Sequence, residues 1–259
     1  NNYNELISYR LGFHAEYTTK REILEGISEL AQKYKAPVFT HSSETKSEVE
    51  GCIERYGKTP TELFEEIGLW NWGGGGYHSV WLSDNDLQIY KKRGLWAIIN
   101  AGSNSKLASG ICDVQKMSNM GINLAVGTDG PSSNNALDMF REMYLISVLQ
   151  KLKYNDAAAM DANEILKAAT SGSAKCMGLT DCDCIAEGKL ADLMIIDLER
   201  PNMQPINNIT KNLVYSGSKD DVKMTMINGK ILYENGEFVN IDKEEIYAKA
   251  QEICNRLKN

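Results

Sequence analysis

Residues 37–44 read PVFTHSSE. Val38 and Phe39 are the end of an apolar strand, His41 lies near its carboxyl end, and Glu44 follows about one turn later. In parallel α/β proteins the carboxyl ends of strands carry the chemistry. Fold and function therefore depend on whether the flanking text repeats this strand-then-helix unit, and it does. Upstream, YRLGFH (9–14) is a short apolar run ahead of TTKREILEGISELAQKYK (18–35), where Ile23, Ile27, Leu30 and Ala31 recur at helical spacing behind a threonine cap. Downstream, TPTELFEEIG (59–68) has Thr59 as N-cap, Pro60 in the first helical position and Glu62 three residues after the cap. GYHSVWLS (76–83) with DNDLQIYKKRG (84–94) forms a third unit, and LWAIINAG (95–102) with a short helix around Val114 to Met120 a fourth. INLAVGTDG (122–130), followed by helical stretches from Asn135 to about Lys153 and from Asp161 to about Cys176, forms the fifth. Five strands, each backed by a helix, predict a parallel sheet, because parallel neighbours need helical crossovers.

After about residue 185 the pattern changes. GKLADLMIIDL (188–198), NLVYSG (212–217) and VKMTMINGKILYENGEFV (222–239) are short β-branched and aromatic runs, punctuated by Asn228-Gly229 and Asn235-Gly236. Such dipeptides close two-residue hairpins. The expected organisation is an α/β portion over residues 1–184, a small β unit over 185–240 and an amphipathic helix over 241–259. The glycine run at 73–76 lacks the preceding strand and following Lys-Ser/Thr of a phosphate loop, so it reads as a flexible turn before the strand that carries His78.

Composition narrows the function classes. An apolar fraction of 42%, a charged fraction of 24% and a net charge of −7 describe an ordinary globular protein and argue against a phosphate-backbone partner. No run approaches the ~18 apolar residues that cross a bilayer, and the opening NNYNELISYR lacks signal-peptide patterning. The expectation is a cytoplasmic protein with no nucleic-acid or membrane partner. The opening lacks a Met and reads as the continuation of a larger protein. Six scattered cysteines fit reduced thiols, and Cys182-x-Cys184, with no second pair nearby, reads as inert.

The chemistry-bearing residues gather at strand ends. All three histidines, His14, His41 and His78, sit at or beside such ends, and Asp129 directly follows the apolar run of the fifth strand. A lone histidine is more often a hydrogen-bonded structural residue, and Thr128-Asp129-Gly130 is by itself a common turn. As a set they say more. A barrel brings strand ends together, so His41, His78 and Asp129 could face one point and suit zinc or a similar divalent ion. Such an ion lowers the pKa of a bound water to near 7. Glu44, one turn past His41, would reach the same pore and shuttle protons.

These residues resemble the amidohydrolase superfamily, in particular its branch of S-adenosylhomocysteine and 5′-methylthioadenosine deaminases and chlorohydrolases. The matching text includes GFHAEYTT (12–19), THSSETKSEVEGCIERYGKTPTELFEEIGL (40–69), GYHSVWLSDNDL (76–87), SNSKLASGICDV (103–114), LAVGTDGPSSNNALDMFREM (124–143), ATSGSAKCMGL (169–179) and IAEGKLADLMIIDL (185–198). The resemblance implies an α/β fold, strands four to eight of a (β/α)8 TIM-type barrel, followed by half of a small sandwich and a C-terminal helix. It implies His41 and Asp129 as metal ligands, with one divalent ion, zinc ahead of iron or manganese. Glu44, His78 and Asp129 become catalytic, with Glu44 protonating a ring nitrogen, His78 polarising water or substrate, and Asp129 taking the water's proton. His14 and Ser133 become substrate contacts. The implied reaction is hydrolytic deamination of a purine-type small molecule, with loss of chloride or guanine deamination as alternatives. The His-x-His pair that family members carry on their first barrel strand is absent from the chain, which leaves an incomplete ligand set and keeps a non-catalytic scaffold open as a further alternative. Strand seven reads NAGSN (100–104), without the family's proline, and a changed loop is expected there. Uncovered strand edges predict a homo-oligomer.

Overall fold

The computed structural model describes residues 6–258. Five parallel strands, β1 (Leu11–Gly12), β2 (Val38–Ser42), β3 (Gly74–His78), β4 (Trp96–Ile99) and β5 (Asn123–Val126), lie in sequential order in one sheet. Register is set by pairs such as Val38 with Gly74 and Ile98 with Ala125. Between them run α1 (Arg21–Tyr34), α2 (Lys46–Tyr56), α3 (Pro60–Glu66), α4 (Asp84–Arg93), α5 (Ala101–Lys106) and α6 (Val114–Asn119). After β5 come α7 (Pro131–Asn134), α8 (Met139–Tyr154), α9 (Ala162–Lys167), a π-helical segment (Ala168–Gly172) and α10 (Ser173–Cys176). A second, antiparallel sheet orders β6 (Leu193–Ile196), β7 (Val222–Ile227), β8 (Lys230–Glu234) and β9 (Glu237–Phe238), with α11 (Ile209–Tyr215) in the long connection and α12 (Lys243–Lys258) at the end.

Strand periodicity sorts the side chains. Val38, Ala97, Ile99 and Val126 face the helices and join Leu24, Phe64, Trp70, Tyr90, Met117 and Ile165 in the main core. Each fully buried side chain of this size stabilises the fold by about 1.5–3 kcal/mol relative to exposure. The alternate residues Phe39, Ile98 and Ala125 form a smaller cluster with Tyr77 and Trp96 on the opposite face. A cavity of about 430 Å3, lined by Arg10, Phe39, Tyr77, Ile98, Ala125 and Met177 among others, opens on that face. His41 shares its parity with Phe39, so the same alternation that builds the cluster turns His41 toward the inner side.

Several expectations are corrected. Glycines 74–76 are not a turn but most of β3. A Cβ on Gly76 would overlap the Tyr90 hydroxyl, and one on Gly75 would overlap the Trp96 carbonyl, so tight packing from both sides makes glycine a strand residue here. Of residues 212–217, read as a strand, 212–215 are the end of α11, whose Asn208 cap accepts from the Lys211 amide, and Ser216 is its C-cap. The helix α2 was not anticipated, although Thr45 and Glu48 form a reciprocal capping box at its start. The helix expected from Asn135 begins at Met139, because Asn135 is left-handed at the end of α7 and Asp138 caps α8. NAGSN is not a loop but the entry to α5. The two Asn-Gly turns are as expected: Asn228 and Gly229, then Asn235 and Gly236, all have positive φ and join β7 to β8 and β8 to β9. Among the described residues, no helix is long and apolar enough to cross a membrane.

Candidate active site

The carboxyl end of β2 supplies two of the expected groups. The His14 carbonyl accepts from the His41 amide at 2.9 Å and from the Thr40 hydroxyl at 3.0 Å. The same oxygen lies 2.7 Å from His41 Nδ1, so Nδ1 carries the proton and donates it, leaving the Nε2 lone pair free. The chain then turns sharply at Ser43, whose φ is 54°. Glu48, in the first turn of α2, accepts from the amides of Ser43 at 2.9 Å and Glu44 at 2.7 Å, which fixes the turn. Burial pushes the Glu48 pKa up, with these amides opposing the shift. The Glu44 side chain crosses to the opposite loop, where Oε1 accepts from the Ser109 hydroxyl at 3.0 Å.

His78 ends β3. By strand parity it belongs on the helix side with Gly76, yet its φ of 70° and that of Ser79, 51°, swing the ring out of alternation. The ring stacks on His41 with centroids 5.2 Å apart and planes at 26°. Left-handed conformations at non-glycine residues cost about 1–3 kcal/mol and cluster where geometry serves function. His78 Nδ1 donates to Asn104 Oδ1 at 2.7 Å. Its Nε2 is buried without a hydrogen-bond partner and lies 3.7 Å from Glu44 Oε2, beyond hydrogen-bond reach.

Asp129, beyond β5, has a φ of 60°. Its Oδ2 accepts from Ser103 at 2.7 Å and Ser133 at 2.6 Å, and its Oδ1 from the Gly130 amide at 2.7 Å. Burial works against ionisation. The hydroxyls of Ser133 and Ser103, the Gly130 amide and nearby His78 outweigh it and hold the carboxyl below the usual aspartate range.

The three strand ends converge. One ligand atom each from His41, His78 and Asp129 lies within 4.8 Å of the others. With both Nδ1 atoms engaged, the two imidazoles offer Nε2, each oriented by a carbonyl-type acceptor on the far nitrogen, as metal-binding histidines usually are. The donor set, two imidazoles and a carboxylate, is that of a divalent transition ion, and the partnerless His78 Nε2 is what such a site leaves behind when described without its ion. The residues fit the group. His14 lies beside His41, centroids 4.7 Å apart, with Nδ1 hydrogen-bonded to the Thr18 hydroxyl. Ser133 is near the site, but its hydroxyl is given to Asp129 and the Gly130 carbonyl. The sequence pattern missed Ser103, Asn104 and Ser109, the partners of Asp129, His78 and Glu44. Their position after β4, the same end that carries the histidines on β2 and β3, was the available signal.

Residues 2–232 match the amidohydrolase family. The chain belongs to that family. It is 42% identical over 244 residues to a protein of Pyrococcus furiosus named 5-methylthioadenosine/S-adenosylhomocysteine deaminase, covering 94% of this chain and 58% of the relative. It is 37% identical over 252 residues to a 5′-deoxyadenosine deaminase of Methanopyrus kandleri, covering 97% and 58% respectively. A crystal structure of an adenosine deaminase from Xanthomonas campestris with bound zinc superposes with a TM-score of 0.94 at 33% identity, covering 99% of this chain and 59% of that one. An atrazine chlorohydrolase from Arthrobacter aurescens, at 22% identity and a TM-score of 0.86, shares the fold. The chain thus spans a little under three fifths of the length of the curated relatives it matches.

Proposed function

We propose that this chain carries the ion- and proton-handling part of a metal-dependent aminohydrolase acting on an adenine-type nucleoside such as 5′-methylthioadenosine or S-adenosylhomocysteine. The carrying observation is the convergence of His41, His78 and Asp129 with a buried, unpartnered Nε2 among them. The names of the relatives support the substrate class. In this reading the parallel sheet is strands four to eight of a (β/α)8 barrel within residues 1–184, the antiparallel sheet is part of a small sandwich within 185–240, and α12 closes the chain within 241–259.

His41 and Asp129 would hold the ion, with His78 beside it, and zinc is the first choice for this donor set. When bound, such an ion supplies Lewis acidity that makes water a nucleophile at neutral pH. The residues handle the protons. Asp129, kept ionised by its serine and amide donors, accepts a proton from the attacking water at a carboxylate oxygen. Glu44, anchored through Oε1 by Ser109, presents Oε2 toward the site and delivers a proton to the ring nitrogen adjacent to the carbon under attack. His78, with Nδ1–H fixed on Asn104, turns a lone pair toward the same water. The ring carbon gains the water's oxygen, its bond to the exocyclic amine breaks, the second water proton leaves with ammonia, and the proton held by Asp129 is released to solvent as Glu44 takes one up for the next turnover. His14, at the rim, is placed to touch the substrate, and Ser133 contributes through Asp129.

Metal analysis of the full-length protein combined with ammonia release from methylthioadenosine tests the reading. Wild type is expected to bind one ion per chain and turn over, while Asp129→Asn should lose most turnover. Unchanged turnover in that variant would refute the role of Asp129.

A further inference from the structure

Behind the site lies a buried carboxylate that the proposed chemistry does not use. Glu142, in the first turn of α8, is completely buried. Its Oε2 accepts from the Gly102 amide at 2.8 Å, and its Oε1 from Asn134 Nδ2 at 2.7 Å. Asn134 Nδ2 also donates to the Thr128 carbonyl at 2.6 Å, immediately before Asp129. Gly102 immediately precedes Ser103 and Asn104, which bind Asp129 and His78. We infer that Glu142 is a positioning residue: its carboxylate clasps the start of α5 and the loop after β5, and so sets the mutual placement of His78 and Asp129.

Three observations carry this beyond a packing role. First, Glu142 forms no ion pair among the described residues: its hydrogen-bond donors are neutral N–H groups, and Arg141 acts on it only at longer range. A buried charge without an adjacent cation is costly, and well-packed apolar residues are often at least as stable in such places, so stability alone does not call for a carboxylate. Burial indeed pushes its pKa up, with the Gly102 and Asn134 donors opposing. Second, the approach demands glycine at 102, because a Cβ there would overlap Glu142 and sit 2.8 Å from Asn134 Nδ2. Third, the two arms of the clasp end on different elements, the start of α5 and the loop after β5, each next to the site: Gly102 beside Ser103, which holds Asp129, and Thr128 beside Asp129 itself. A displacement on either arm therefore reaches the site without any contact between Glu142 and substrate.

The kinetic consequence rests on the aminohydrolase reading, but the geometric one does not. In the full-length protein, Glu142→Ala removes both arms. Glu142→Gln keeps an oxygen for the Gly102 amide and sets an NH2 group against the Asn134 donor, so it breaks one arm and preserves volume. Glu142→Ala is expected to lower kcat for methylthioadenosine roughly 10- to 100-fold with KM within about threefold. Glu142→Gln should fall between it and wild type. In parallel, 15N-histidine NMR of the ion-free protein, assigned with His78→Asn, should show the His78 Nδ1–H signal shifted or lost in Glu142→Ala and partly retained in Glu142→Gln. A kcat within twofold of wild type in folded Glu142→Ala, or an unmoved His78 signal in either variant, overturns the inference. If Glu142→Ala does not fold, the same two readouts on Glu142→Gln decide it. Failure of the wild type to release ammonia would count against the aminohydrolase reading alone, and the NMR signal would still decide the role of Glu142.

Discussion

Replacing Asn104 by leucine tests the most specific electrostatic feature of the site. Asn104 and His78 are 2% and 1% exposed, so no solvent can substitute for the lost acceptor. In Asn104→Leu the His78 Nδ1–H would face an apolar side chain of similar size. A buried donor left unpaired costs about 1–3 kcal/mol. The ring has an alternative, because the proton can move to Nε2, where Glu44 Oε2 waits at 3.7 Å and can close the gap to become an acceptor. The neutral ring should therefore invert its tautomer, by roughly one to two orders of magnitude in the ratio of the two forms. A proton on Nε2 removes the lone pair that faces the attacking water and points a positive N–H at the ion held by His41 and Asp129, so kcat/KM and divalent-ion affinity should both fall. The 15N shifts of the His78 ring read the tautomer directly in ion-free protein, and calorimetric zinc titration reads the affinity. An Nδ1-protonated ring together with unchanged zinc affinity in the variant would refute the reasoning.

Two further outcomes follow from local geometry. Glu62 accepts from the Thr59 amide at 3.0 Å and from Asn85, and the Thr59 hydrogen bond comes first among the causes that depress its pKa below the ordinary 4.5. A depressed folded pKa contributes stability that is complete above the ordinary value and is lost as pH falls through the folded one. Glu62→Gln should thus cost about 0.3–1.5 kcal/mol at pH 7, with the difference from wild type in urea melts vanishing as the pH is taken well below 4.5. An equal difference at both pH values would exclude this account. Gly76→Ala should destabilise by about 1–3 kcal/mol through overpacking against Tyr90 and Ser42. Pairing it with Tyr90→Phe, which removes the overlapped hydroxyl, should recover part of that loss in a double-mutant cycle, whereas strict additivity would show that the overlap is not the cause.

The alternation of strands and helices makes the parallel sheet legible in the sequence, and the position of His41, His78 and Asp129 at strand ends makes the candidate site legible there too. What escaped has a common physical origin. Ser103, Asn104, Ser109 and Glu142 act across separations of 26, 26, 65 and 40 residues, and nothing local distinguishes a serine that holds a carboxylate from one that turns a chain. Glycines 74–76 have poor intrinsic strand preference, so only the packing of Tyr90 and Trp96 against them makes a strand there. The helix α2 was different, because its Thr45-x-x-Glu48 box and the spacing of Val49, Cys52, Ile53 and Tyr56 were present in the text.

The hydrogen bonds that orient His41 end on a main-chain oxygen, which any residue at position 14 supplies. The His14 carbonyl receives the amide and the ring Nδ1–H of His41, while the His14 imidazole packs beside the His41 ring and is hydrogen-bonded to Thr18. A substitution at position 14 therefore keeps the main-chain acceptor of His41 and changes only the ring that packs beside it. In the proposed aminohydrolase, substitutions at this rim position would retune what is accepted there while the hydrogen bonds that orient His41 persist.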